Sequence, residues 1–233
     1  MREAFSDDKM NTDKITAFDE FVDNEILPAA TELERLADKS RRHLQKLAYT
    51  NLVDRFDSMV DNMLLDNCRE ELLVGEASKN LTQQVTEADL LKLLLQSANL
   101  QNALETKLKD GLRNTILRER HSKKLKVLFD VFRADEDCWN KPRVNIATGD
   151  IYNHMKPQKK RKVPYSICGY ADWLYARRNS IVHGGGTTKL LENDVKHLEK
   201  LFRCVPATSV SIKPSSVKIA ATFYKSAIKI LVS

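Results

Sequence analysis

The stretch RRNSIVHGGG runs from Arg177 to Gly186 and decides how the chain is read. The whole sequence has seven glycines and five histidines, so three consecutive glycines after a histidine are a local concentration. The apolar pattern leading into it, from Tyr170 to Val182, has helical spacing. Glycine takes the left-handed conformation past a helix C-terminus at little cost, so Gly184 is the expected stop. Asn179 and His183 are four apart and share one helix face. Arg178 has a long side chain that can curl to the same spot, and Arg177 offers a second cation. A guanidinium, an amide and an imidazole therefore gather at one helix end.

Outward from this helix, the chain reads as further helices. Toward the N-terminus, Ile15, Phe18, Phe21, Val22, Ile26 and Leu27 repeat at helical spacing until Pro28 interrupts. A second pattern carries Leu33, Leu36, Leu44 and Leu47. A third carries Leu52, Val53, Phe56, Val60, Met63 and Leu64. The stretch 66–85 is polar and reads as a connector. Thr86 is a capping residue for a helix over Leu90–Leu108. Asp110-Gly111 reads as a break, and Leu112–Phe132 as the next helix. From 134 to 164 the character changes. Val144–Ala147, a Thr-Gly-Asp turn and Ile151–His154 suggest a short hairpin around Gly149, and a basic loop follows. After the motif, Leu190–Val205 is helical, with Leu191, Val195, Leu198, Leu201 and Phe202 inward. Ser209–Ile212 is a short extended piece, and Val217–Val232 reads as a last helix in preference to a strand.

Composition agrees with an all-α reading. The chain has 233 residues, enough for one large domain with a proper core, and is 42% hydrophobic and 30% charged. Gly and Pro are too scarce for a turn-rich β-sandwich. No apolar run is long enough to span a bilayer, and the polar, acidic MREAFSDDKMNTDK is unlike a signal peptide, so no membrane association and a cytoplasmic location are expected. Cys68, Cys138, Cys168 and Cys204 are far apart in sequence, without a CxxC or a Cys/His cluster. Free thiols are expected, with no metal site and no cofactor. Residues 1–106 carry 12 Lys+Arg and 21 Asp+Glu, net −9, and residues 107–233 carry 26 and 11, net +15. Such asymmetry suits a polyanion partner for the second half, mutual attraction between the halves, or both.

With RNA as substrate, each motif residue has a use. A guanidinium grips phosphate oxygens and stabilises charge that develops in the transition state. An imidazole titrates near neutral pH and can move protons to or from a 2′-hydroxyl or a leaving 5′-oxygen. An amide can orient either group. The same residues also suit a plain helix end, where basic side chains complement the helix dipole.

The stretch Tyr170–Gly184 resembles the signature of HEPN domains: an Arg, a polar residue directly after it, and a His four to six residues beyond the Arg. Here Arg178, Asn179 and His183 fill it, followed by Gly184. The resemblance is sharp over about residues 170–202 and architectural elsewhere. It implies one all-α HEPN-type helical bundle over 1–233, with insertions at about 66–85 and 134–164. The second insertion is the hairpin and basic loop before the motif helix. It also implies a metal-independent endoribonuclease acting as a homodimer, two motifs meeting in one cleft. Such a protein is typically a toxin or antiviral-defence (abortive infection) effector, and an antitoxin or regulatory partner is conceivable. On the resemblance Arg178 holds the scissile phosphate, His183 acts as acid or base, and Asn179 orients. The alternative is a non-catalytic HEPN-like module binding RNA or protein.

Lys156, Lys159, Lys160, Arg161 and Lys162 form the densest cationic run, which with Arg177 is expected to contact RNA. Lesser candidates read as structural or solvated: His121 and Lys124 on an exposed helix face, Asp172 at the surface, Trp173 and Tyr175 in packing, and His197 in a structural role.

Overall fold

A computed structural model describes residues 7–79, 87–96, 100–156, 162–184 and 189–232. The described residues form an all-α bundle of ten α-helices, with no strand longer than an isolated bridge. The helices are α1 (Asp7–Phe21), α2 (Leu27–Glu32), α3 (Asp38–Asp66), α4 (Glu71–Ser78), α5 (Glu87–Gln96), α6 (Leu100–Asn114), α7 (His121–Phe132), α8 (Ile167–Val182), α9 (Glu192–Phe202) and α10 (Pro214–Val232).

The 29-residue α3 is the axis of the bundle. Its buried residues, Gln45, Tyr49, Leu52, Val53, Phe56, Met59, Val60, Met63 and Leu64, recur every three or four positions and form one apolar stripe. The stripe packs against α1, α7, α8 and α10. Phe56 stacks on Tyr224 of α10 with ring centroids 4.1 Å apart, and Phe223 meets Tyr170 of α8 edge-on at 4.7 Å. The Tyr49 hydroxyl, fully buried, donates to the Leu174 carbonyl at 3.0 Å and so ties α3 to α8.

Several sequence expectations need correction. Pro28 does not interrupt the first helical run. It sits in the first turn of α2, directly after a π-helical turn (Val22–Ile26) that joins α1 to α2. The pattern Leu33, Leu36, Leu44, Leu47 is not one helix: the chain turns extended at Leu36 (ψ 154°) before α3 begins at Asp38, and Leu36, Leu44 and Leu47 are exposed. The connector over 66–85 contains α4, whose Leu73 and Ala77 are buried. Gly111 is no break. It lies within α6 at the crossing with α4, where a Cβ would stand 2.7 Å from the Ala77 carbonyl oxygen. The expected continuous helix over Leu112–Phe132 is instead the end of α6, a 3₁₀ turn (Ile116–Arg118) and α7. Thr86 lies outside the described residues, as do 97–99, which separate α5 from α6.

The segment between α7 and α8 is a packed unit. An antiparallel bridge pairs Val144 with Ile151, and Gly149 takes φ 85° at the turn, pressed against the α10 backbone at Ile219. Buried Arg143 donates to the Tyr152 carbonyl at 2.7 Å and pairs with Glu136. Ser209 forms an isolated antiparallel bridge with Lys189, and the last segment is helix, as expected. Cys138 and Cys168, distant in sequence, meet with sulfurs 3.4 Å apart, both buried and free.

Charge separation along the sequence is partly consumed inside the fold. Asp23, Glu34, Asp54, Asp57 and Asp61 of the acidic half pair with Lys225, Lys218, Arg178 and Lys124 of the basic half. No described helix is long and apolar enough to cross a membrane.

Candidate functional site

α8 starts at Ser166, whose hydroxyl caps the helix by accepting from the Gly169 amide at 3.2 Å. It ends at Val182, with His183 as C-cap at φ −102° and Gly184 directly after it. The three motif residues come together at this end. Arg178 Nη1 donates to Asn179 Oδ1 at 3.2 Å and lies 3.5 Å from His183 Nε2. His183 is exposed, Asn179 half-buried, and the Arg178 side chain 19% exposed.

Asp54, a residue sequence reading passed over, completes the cluster. Its carboxylate pairs with Arg178: Nη2 donates to Oδ2 at 3.2 Å, and Nε lies 2.6 Å from Oδ1. The Nη2 contact is a hydrogen bond and the Nε contact an ion pair without hydrogen-bond alignment, and together they tie Arg178 to α3. The Tyr175 ring, 5.7 Å from the Arg178 guanidinium carbon, supports its other face. Asp54 was findable. Asp54, Asp57 and Asp61 stand at i, i+3 and i+7 beside the apolar stripe of α3, and three carboxylates on one partly buried face require cations opposite.

Those cations come from α7 and α8. Tyr175 stacks flat on His121, with centroids 5.2 Å apart and an interplanar angle of 4°. His121 Nδ1 is 2.6 Å from Asp57 Oδ1, and Lys124 Nζ is 2.7 Å from both Asp57 and Asp61. His121 and Lys124 are therefore interior residues, contrary to the solvated face expected for them, because they answer the acids of α3. Burial raises the Asp57 carboxyl, but the His121 bond and the Lys124 charge outweigh it and hold the pKa at about 2. Burial alone would lower Lys124; the two aspartates raise it instead.

Arg177 also differs from expectation. It is 6% exposed, its guanidinium lies 4.6 Å from the Trp173 ring and 5.3 Å from that of Tyr49, and Nη2 donates to the Ser211 carbonyl at 2.7 Å. Successive residues on a helix point about 100° apart, so Arg178 reaches the edge while Arg177 enters the core. Trp173 and Tyr175 are packing residues, as expected. Asp172 is buried at 3% exposure, not at the surface, and faces His197 Nε2 at 3.7 Å across the α8–α9 interface. Of the basic loop, Lys156 and Lys162 are exposed, and neither bonds to the motif residues; Lys159, Lys160 and Arg161 lie outside the described residues. Among the described residues no three His, Cys, Asp or Glu side chains gather as a metal ion would require.

The arrangement offers an oriented guanidinium beside an exposed imidazole and a side-chain amide. That set can bind an oxyanion and transfer a proton within one contact distance. No protein-family model, curated protein or solved structure matches the chain.

Proposed function

We propose that the chain is a metal-independent endoribonuclease of HEPN type whose site is Arg178, Asn179 and His183. The observation that carries this is the convergence of the three side chains at the exposed end of α8, with Arg178 fixed from behind by Asp54. An all-helical bundle with a helix after the motif agrees with it. In the proposed reaction the 2′-oxygen attacks the neighbouring phosphorus and loses its proton to a base. The bond from phosphorus to the 5′-oxygen breaks, and an acid protonates that oxygen. The products are a 2′,3′-cyclic phosphate and a 5′-hydroxyl. Arg178 holds the phosphate and stabilises its added charge. His183 serves one proton transfer, Asn179 orients, and a second copy of the chain supplies the other imidazole. Exposed basic side chains such as Lys156 and Lys162 would track the RNA backbone. A toxin or defence role, with or without an inhibiting partner protein, is the biological setting this chemistry suits.

The test is cleavage of labelled RNA in chelator by the wild type, Arg178→Ala and His183→Ala. Loss of an acid–base group or of a charge-stabilising donor is expected to lower the rate about 10²–10⁴-fold. Equal cleavage by all three proteins, or none by the wild type, defeats the proposal. A second reading rests on the Arg178–Asp54 ion pair itself, which joins α3 to α8 and gives Arg178 a structural role in a non-catalytic RNA- or protein-binding module. RNA binding without cleavage, together with a lowered melting temperature in Arg178→Ala, would favour it.

A further inference from the structure

We infer that the cavity between the start of α3 and the start of α10 is a binding site for a small phosphorylated anion. The cavity measures about 750 Å³, and among the described residues its lining is cationic: Arg41, Arg42, Lys46 and Lys213 against one carboxylate, Glu34. Glu34 is already paired with Lys218 at 2.9 Å. Arg41 and Arg42 share the neighbouring Asp38, Arg42 from 3.9 Å, which leaves cationic charge in excess around the opening. Pro214 and Ser215, the first residues of the 19-residue α10, also line the cavity, and of that first turn the Ser215 amide is the N–H not taken by the Lys213 carbonyl.

The decisive residue is Gln45. It lines the cavity yet is 2% exposed, and its amide Nε2 is buried with no hydrogen-bond partner. Buried donors are ordinarily satisfied. A donor left open beneath a cationic rim and a helix N-terminus calls for an acceptor-rich anion reaching into the recess. A phosphoryl group, with three oxygens to share among guanidinium, ammonium and amide donors, answers all of them.

A passing RNA strand fits less well. Gln45 and Asp54 are nine residues apart on α3, two and a half turns, which puts them on opposite faces about 13 Å apart along the axis. A strand held at Arg178 therefore does not cross Gln45. The site is therefore independent of RNA cleavage at α8.

The experiment is calorimetric titration of the full chain with inorganic pyrophosphate and with fructose 1,6-bisphosphate. Saturable binding of either at one per chain is expected. Arg42→Glu and Lys213→Glu, both at exposed positions, should each weaken it by about tenfold or more. Gln45→Glu, which turns a donor into a carboxylate, should abolish it in protein that still melts cooperatively. Lys123→Glu, an equal charge change elsewhere, and Arg178→Ala should bind as the wild type does. Absence of saturable binding, an equal loss in Lys123→Glu, or loss in Arg178→Ala overturns the inference. So does displacement of pyrophosphate by a short 5′-hydroxyl oligoribonucleotide, which would assign the cavity to RNA.

Discussion

Replacing Asp172 by Asn should make the protein more stable at pH 8 and leave that gain much reduced in mild acid. Asp172 lies on the motif helix, is 3% exposed, and is faced by His121 of α7 and Arg120 just before it, and by Asp194 and His197 of α9. Burial pushes its carboxyl up to about 6 from an ordinary 3.8, with Asp194 adding to the rise while His121 and Arg120 oppose it. Between those two values the folded state binds more protons than the unfolded one, so stability falls as pH rises through the window. Above it the loss is complete. A gap of about two pH units corresponds to about 3 kcal/mol, of which about 2 kcal/mol falls between pH 4.5 and pH 8. Asn fills the same space without ionising and should recover that amount. His197 must be silenced first. Burial and the Arg120 charge lower it to about 4, so its contribution, present above 6.5, is lost as pH falls through the same range and masks the effect. The assay is urea unfolding at pH 4.5 and pH 8 of His197→Gln and of His197→Gln/Asp172→Asn. If the two proteins lose stability in parallel between those pH values, Asp172 ionises without penalty, and the reasoning about its burial is wrong.

Lys124→Met should destabilise the fold by about 3–5 kcal/mol, because Asp57 and Asp61 are left partly buried without their shared cation; an unchanged urea midpoint would show that the acids of α3 are adequately solvated. Gly111→Ala should lower the melting temperature. Helix propensity favours alanine by about 1 kcal/mol, but the new methyl would meet the Ala77 carbonyl oxygen at 2.7 Å, and overpacking of this kind costs about 1–3 kcal/mol. A rise in melting temperature would mean that α4 does not cross α6 there. Gly149→Ala should cost about 1–3 kcal/mol, from the left-handed φ of 85° and a contact of 2.2 Å with the Ile219 carbonyl oxygen; equal stability by calorimetry would place the hairpin tip away from α10.

What could be read from the sequence, and what could not, follows from the range of each signal. Apolar periodicity is local, so α8, α9 and α10 were legible to within a few residues. α4 was not, because only Leu73 and Ala77 carry its burial and polar residues flank them. Gly111 was misread because a glycine admitting a neighbouring helix and a glycine ending its own helix look alike in one dimension. The choice between Arg177 and Arg178 depends on which arc of α8 is buried. That arc is set by Tyr49 and by Ser211, both distant in sequence. Asp54 is the instructive case. The motif occupies six consecutive residues, but the carboxylate that aims its guanidinium lies 124 positions earlier. The i, i+3, i+7 row of aspartates on α3 announces that cations must lie opposite without saying which. His121, Lys124 and Arg178 answer it from two helices, and this also explains why a basic half need not present all of its charge to a ligand. Arg178 alone among those three keeps an edge toward solvent. The ion pair that could be taken for mere packing is therefore also what presents a fixed, partly free guanidinium beside His183. An aspartate chosen only for stability could have buried that edge. Here a carboxylate 45% exposed holds the arginine at the rim, with 19% of its side chain still exposed.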